Sequence, residues 1–314
     1  MSKLADQIGI VLAEMAEQEP DIFVLDGDLA DSDGAIHFAQ RHPEQFLMAG
    51  IAEQSMLSVA AGMASAGRRP FVFSFAAFLC FRAYDQVRVC LSQSEQPVVM
   101  VGSHAGGLSG RNGKTHTAIN DMALMLSLPK VQVWAPADHL DIAYMLPELM
   151  QSEQAAYVRA PRCPVGAGQN LPGEAGRFRW LRPKQAVTLV SCGVASQWSY
   201  QVACRLQRQG IDLGLLHCLH VNDVDGLRCQ LDGAEQIFVI EDHNEFGGLA
   251  SLVRQLDLPA RVKGIGWPMD FSGKSGDDHE IRQAYGLSDS QLAAWLLNAL
   301  QAEQGYLDLC EGEQ

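Results

Sequence analysis

Two α/β domains in tandem are what this sequence predicts, and three observations predict them. Helix-like and strand-like stretches alternate along most of the 314 residues, the pattern of parallel strands joined by helical crossovers. The alternation breaks once, at 160–184, where four prolines and four glycines displace the apolar runs. Pro and Gly at that density read as a connection. Hydrophobic residues make up 47% of the chain, enough to fill two ordinary cores. The predicted boundaries are 1–162 for the first domain, 163–184 for the linker and 185–314 for the second domain.

The first domain opens with an amphipathic helix at 3–18, where apolar residues recur at helical spacing. A short apolar strand at 22–25 closes on Asp26-Gly27-Asp28, and a helix at 32–42 leads to a second short strand at 46–49. Residues 53–66 carry Ala, Ser, Gly and Met at helical spacing, with few bulky side chains. A strand at 70–75, a helix at 78–93 and a strongly apolar strand at 97–102 come next. A glycine-rich loop, 104–116, separates them from a helix at 117–127, a strand at 130–135, a helix at 138–151 and a last strand at 155–159. The second domain repeats the alternation. Its strands fall at 186–192, 211–217, 236–241 and 260–265, and its helices at 195–209, 222–231, 246–256 and 288–303.

Bulk properties exclude several functions. The net charge is −14 with no basic run, unsuited to nucleic acid or an anionic membrane. No apolar stretch approaches the roughly 18 residues of a spanning helix. The eight cysteines form no C-x-x-C pair and no zinc spacing. Several lie in apolar runs, where a thiol behaves as a small hydrophobe. A reduced, cytoplasmic protein is expected, and the acidic, amphipathic N-terminus is not a signal peptide.

The chemistry-bearing residues lie in the first domain. Ala49-Gly50-Ile51-Ala52-Glu53-Gln54 ends a strand and places one carboxylate at a helix start. The helix dipole alone accounts for such an acid; a functional acid there would be partly buried and would donate a hydrogen bond. Phe75, Phe78 and Phe81 follow at i, i+3 and i+6. That spacing suits core packing, and it equally suits a shelf for a flat heteroaromatic ligand. Together, G-I-A-E-Q, the small-residue helix after it and the phenylalanine run resemble the pyrimidine-binding domain of transketolases, and are similar to that of 1-deoxyxylulose-5-phosphate synthases. Arg82-Ala83-Tyr84-Asp85-Gln86 resembles the R-A-Y-D-Q stretch of the same family, read as structural and interface-forming.

The resemblance implies thiamine diphosphate as cofactor. Glu53 would contact its pyrimidine ring and favour the imino tautomer whose nitrogen deprotonates the thiazolium. Phe78 would stack on the ring, with Phe75 and Phe81 beside it. The implied fold is two three-layer domains, a parallel-sheet pyrimidine-binding domain followed by a transketolase C-terminal-like α/β domain.

His104 and His116 flank the glycine-rich loop. Loop histidines are commonly just solvated, but this loop follows an apolar strand, where α/β sites lie. Gly113-Lys114-Thr115-His116 matches the family's G-x-T-H, and the resemblance assigns both histidines to sugar hydroxyls or phosphate, with proton transfer open to imidazole. The loop departs from the pattern at Arg111-Asn112, where the family has an acidic pair; the Asp that reads a sugar hydroxyl becomes Asn112, and the usual Pro is Lys114. An N-terminal phosphate-binding Arg falls near Ser2 and is missing. Arg159 matches the Arg on the last strand and is expected to hold phosphate, with Arg111 and Lys114 adding positive charge.

The family's G-D-G…Asn site for diphosphate and Mg²⁺ or Ca²⁺ has no counterpart here, since Gly27-Asp28-Leu29 is not that motif. The resemblance covers nearly the whole chain but only the second half of a full-length transketolase. It therefore implies one subunit of a split enzyme, with metal and diphosphate held by a partner subunit in an α2β2 assembly. The implied reaction moves a two-carbon ketol unit from a ketose phosphate to an aldose. The alternatives are the β subunit of a 2-oxoacid dehydrogenase, half of a deoxyxylulose-phosphate-synthase-like enzyme, and a non-catalytic regulatory subunit. In the second domain, Glu241-Asp242-His243 with Gly247-Gly248 is read as structural, and Phe271-Ser272-Gly273-Lys274-Ser275 lacks P-loop spacing.

Overall fold

The computed structural model describes residues 3–162 and 170–311, with no side chains considered beyond 301. The chain forms two sheets, as the alternation predicts. The first contains β1 (Ile22–Asp26), β2 (Phe46–Met48), β3 (Arg69–Phe75), β4 (Val99–Ser103), β5 (Val131–Trp134) and β6 (Ala155–Ala160), in the order β2-β1-β3-β4-β6-β5. All its pairings are parallel. β3, β4 and β6 are buried almost throughout, as a sheet covered on both faces requires.

The second sheet contains β7 (Phe178–Arg182), β8 (Val187–Ser191), β9 (Gly214–Cys218), β10 (Gln236–Asn244) and β11 (Arg261–Trp267), in the order β11-β10-β8-β9-β7. It is parallel except that β7 runs antiparallel to β9. β7 lies inside the stretch read as linker, so the second fold begins before 185. Its alternating Phe178-Arg179-Trp180-Leu181-Arg182 supplies a strand signal that the neighbouring Pro and Gly conceal in the sequence.

Two further elements depart from the sequence reading. The predicted helix 32–42 is split into Ala30–Asp33 and Ile36–Arg41 by Gly34 at φ 89°. A Cβ there would sit 2.4 Å from the carbonyl oxygen of Ala5, so the close approach of the first helix, Leu4–Met15, excludes every other residue. The predicted helix 78–93 is wound instead into wide π-type turns at Phe78–Arg82 and Val87–Gln93. The first is closed by Ala83 N–H donating to Phe78 O at 3.2 Å. Such turns are rare and concentrate at functional sites.

The domains are joined by backbone and ionic contacts. Ala135 N–H donates to Leu219 O at 2.8 Å, Val221 N–H to Val133 O at 2.8 Å, and Gly193 N–H to Ala135 O at 3.0 Å. Trp134 stacks on His220 with centroids 4.2 Å apart. Two buried arginines complete the joint. Arg179 reaches Asp138 at 3.0 Å and Asp141 at 3.2 Å. Arg159 reaches Asp121 at 2.8 Å and Asp242 at 3.5 Å. Each guanidinium spans the two folds, so their relative placement depends on paired charges as well as on apolar burial.

Candidate active site

The C-terminal ends of parallel strands leave a rim where loops diverge and ligands gather. Three strands of the first sheet bring candidate residues to that rim. The turn after β2 delivers Glu53 as the first residue of the helix Glu53–Ser65. The helix is anchored by Met56, Leu57, Ala60, Ala61 and Ala64, and this burial draws Glu53 down to 1% exposure. β3 ends at Phe75, 4% exposed, and the wide turn after it carries Phe78 and Arg82. β4 hands on directly to His104, and the loop returns at His116.

These side chains form one continuous cluster. Phe75 and Phe78 stack at 5.7 Å with 21° between planes. His104 lies against Phe75 at 4.0 Å. His116 meets both phenylalanines edge-on, at 5.5 and 5.3 Å. The Arg82 guanidinium lies 4.3 Å over the Phe78 ring and donates to both carboxylate oxygens of Glu53 at 2.8 Å. Acid, aromatic shelf and histidine pair are thereby contiguous. Phe81 stands apart: it is 41% exposed and outside the stack.

The two histidines are held differently. His104 is only 4% exposed and has φ 55°, a left-handed backbone uncommon outside glycine and retained mainly at functional sites. Burial, reinforced by the charges of Lys3, Arg162 and His116, pushes its pKa down to about 3. His104 is therefore neutral at physiological pH, with one ring nitrogen a donor and the other an acceptor. Ser103 Oγ lies 3.3 Å from its Nδ1. His116 is half-buried, with Thr115 Oγ1 2.8 Å from Nδ1.

The charges of Lys3 and Arg162 bear on His104. Arg111 and Arg162 line one hollow of about 420 Å³ with Gly110, Gly276, Asp277 and Asp278. Arg111, Asn112 and Lys114 are all exposed. Arg159 is elsewhere. It is 1% exposed, and Asp121 and Asp242 hold it in the charged form despite burial. Its Nε, Nη1 and Nη2 are all bonded to these two residues. The expectation that Arg159 holds phosphate is corrected: its donors are consumed inside the domain joint, whereas the charge of Arg162, three residues on, bears on His104. Ser2, where the N-terminal Arg is lost, lies outside the described residues, but Lys3 is close enough to bear on His104. Arg162 and Lys3 escaped the sequence reading because neither belongs to a motif. Arg82 was in view, but nothing in its motif shows that a π-type turn aims it at Glu53.

Other suggestive groups serve the fold. Ser196 Oγ, His217 and Asp141 are linked at 2.7 and 3.0 Å, an order familiar from serine hydrolases. All three are fully buried, so no substrate reaches the hydroxyl. Burial would raise the Asp141 carboxyl, but His217, the Ala137 N–H and Arg179 outweigh it and hold the group below the usual range. Glu241 accepts from Leu249 N–H at 2.8 Å and Ala250 N–H at 3.2 Å, capping a helix. Asp242 accepts from Gly107 N–H and the Trp267 indole. The thiols of Cys80 and Cys218 are pushed well up by burial and that of Cys192 up to about 12, which leaves them inert. Cys163 lies outside the described residues, and Cys310 is described for its backbone alone. Among the described residues no cluster of three or more His, Cys, Asp or Glu is arranged for a metal, and no helix is long and apolar enough to cross a membrane.

The fit to an aminopyrimidine rests on what this rim offers. A flat heterocycle with ring nitrogens needs an aromatic face to lie on and a buried carboxyl at its edge. Phe78 and Glu53 supply both within the reach of a single guanidinium. The fold and rim thus define an α/β protein that carries an aromatic face and a buried carboxyl together at the edge of its first sheet.

Comparison with known proteins fixes the lineage. Residues 3–166 match the transketolase pyrimidine-binding domain family, and residues 176–292 the transketolase C-terminal domain family. The chain belongs to the transketolase family, whose members depend on thiamine diphosphate. It is 30% identical to an apulose-4-phosphate transketolase subunit of Phocaeicola vulgatus, over 88% of this chain and 90% of that one. It is 27% identical to a putative transketolase C-terminal section of Methanocaldococcus jannaschii, over 94% and 95%. A solved structure described as a split gene transketolase, inactive beta4 tetramer, superposes with a TM-score of 0.83 at 29% identity, over 94% and 97%.

Proposed function

We propose that this chain is the pyrimidine-binding subunit of a two-component transketolase, moving a two-carbon ketol unit from a ketose phosphate to an aldose acceptor. The observation that carries the proposal is the contiguity of Glu53, Phe78, Phe75, His104 and His116 along one sheet edge. Thiamine diphosphate, when bound, supplies the thiazolium that stabilises negative charge on the transferred fragment. The chain's own residues do the rest. Glu53, buried at the start of its helix, is placed to bond the pyrimidine edge and so control which ring nitrogen carries a proton. Phe78, backed by Phe75, supplies the stacking face. Neutral His104 exchanges hydrogen bonds with sugar hydroxyls without adding charge to the closed part of the site. His116, less buried, is the better placed to pass a proton to solvent.

Arg162 and Arg111, in a hollow shared with Asp277 and Asp278, are the two cations that would orient a sugar phosphate. Asn112, exposed beside them, is a specificity position where an amide replaces the family's carboxylate. The diphosphate and its Mg²⁺ or Ca²⁺ fall to a partner subunit in an α2β2 cytoplasmic assembly. The Phocaeicola vulgatus relative is named for a phosphorylated sugar and is itself one subunit of a transketolase, which supports both the division of labour and the substrate class.

The test is reconstitution with a diphosphate-domain subunit and assay of ketol transfer between sugar phosphates. Glu53→Gln should lower turnover at least about a hundredfold, the range expected when a positioned acid is lost. Turnover unchanged by Glu53→Gln would overturn the proposal in favour of a regulatory subunit.

A further inference from the structure

Arg82 occupies an unusual position. Its guanidinium lies over the Phe78 ring at 4.3 Å and also donates to both oxygens of Glu53 at 2.8 Å. These are the two groups, one flat and one acidic, to which the proposed function assigns the aminopyrimidine. A guanidinium is itself a small planar, nitrogen-rich cation that stacks on aromatic faces and presents N–H donors in its plane. The two therefore compete for the same acceptor and the same face. Both Glu53 oxygens already accept from Nη1, and the guanidinium covers a face of Phe78 while Phe75 stacks on the same ring, so a pyrimidine ring lying on that covered face must displace the arginine.

The exposures of the pair indicate which member yields. The Glu53 side chain is 1% exposed and that of Arg82 is 43% exposed. A buried carboxylate without a partner is costly, so Glu53 needs Arg82 while the rim is empty. Arg82, on a long and half-exposed stem, can turn its charge into water at little cost. The π-type turn Phe78–Arg82 brings ring and guanidinium onto one side, with Ala83 N–H closing on Phe78 O. His116 and Phe75 hold Phe78 from other directions, so its ring stays in place when the arginine leaves.

We infer that Arg82 is a placeholder that keeps Glu53 paired and Phe78 covered until the pyrimidine ring of the cofactor displaces it. This rests on the proposed function and adds a positioning residue to it. Arg82 preserves the empty site in a binding arrangement, and its displacement is a cost that cofactor binding must meet. Removing the guanidinium should therefore tighten pyrimidine binding, the opposite of what loss of an ordinary site contact does.

The experiment titrates the full chain with 4-amino-2,5-dimethylpyrimidine, the heterocyclic half of the cofactor, by calorimetry or ligand-observed NMR. Arg82→Met should bind it at least about fivefold more tightly than the parent chain, the scale of one exposed ion pair with its stacking contact. Methylguanidinium added to Arg82→Ala should compete with the pyrimidine, which a purely structural role for Arg82 does not predict. Arg82→Lys keeps the charge without the flat fork and should fall between parent and Arg82→Met. Thermal melting of each variant separates binding changes from misfolding. Binding by Arg82→Met that is equal to or weaker than the parent's, with the fold intact and Glu53→Gln abolishing it, overturns the placeholder alone. Binding and reconstituted turnover both indifferent to Glu53→Gln would overturn the proposed function, and the placeholder with it.

Discussion

Arg159→Met tests whether this arginine is a strut or a ligand contact. In the parent chain it lies between Asp121 and Asp242, all three at most 1% exposed. Methionine fills similar space but leaves two buried carboxylates facing a vacated cation site. Each keeps some compensation: Asp121 still accepts from the Tyr157 hydroxyl at 2.7 Å, and Asp242 from Gly107 N–H and Trp267 Nε1. Removing one partner of a buried pair typically costs about 3–5 kcal/mol, and the retained bonds argue for the lower part of that range. For a chain of this size, roughly 2–4 °C of melting temperature accompanies each kcal/mol, so a fall of roughly 10 °C is expected by circular dichroism. Adding Asp121→Asn should restore part of the loss by removing one orphaned charge. In the reconstituted enzyme, kept below its melting range, Arg159→Met should leave KM for a sugar phosphate nearly unchanged. Arg162→Ala should do the reverse, raising KM at least about tenfold through a lost charged hydrogen bond while melting stays put. A stable Arg159→Met variant with selectively weakened phosphate affinity would refute the assignment of Arg159 to the domain joint.

The remaining predictions concern buried groups. Asp33 is fully buried beside Asp26, and burial followed by the Asp26 charge raises its carboxyl well above the ordinary value of 3.8. A raised acid favours the protonated folded state, so its contribution is intact below the unfolded pKa and is lost as pH climbs towards the folded one. Asp33→Asn, which replaces the shared proton with a fixed N–H donor, should flatten urea-midpoint loss between neutral and alkaline pH. His220, lowered to about 4 chiefly by burial, has the opposite sign: stability is present above the unfolded value of 6.5 and falls as pH drops towards 4. His220→Phe keeps a ring against Trp134 and should leave the chain less acid-sensitive in the same titration. Gly106 has φ 89°, and a Cβ on it would lie 1.8 Å from Asp242 Oδ2. Gly106→Ala should cost at least about 2 kcal/mol from backbone strain and displacement of that carboxylate, read as a lowered melting temperature.

The sequence by itself determined the order of elements and the family. Strand and helix periods are local, so β1 to β6 and β8 to β11 were legible from apolar runs alone. The G-I-A-E-Q and G-x-T-H stretches pointed to Glu53 and His116 because each is a short motif on consecutive residues, and His104 was picked out by its separation from His116 across the glycine-rich loop. Tertiary structure decided everything that depends on distance across the chain. β7 emerged from a Pro- and Gly-rich stretch because β9 offered an edge to pair with. Arg159 and Arg162 look alike three residues apart, yet alternation along and beyond β6 sends one between two buried aspartates and the other to the hollow beside Arg111. Arg82 meets Glu53 only because a turn wider than an α-helix rotates it there. Local propensity sets which segments become helix or strand, but a side chain's partner is fixed by packing between segments far apart in sequence, and no local pattern encodes that.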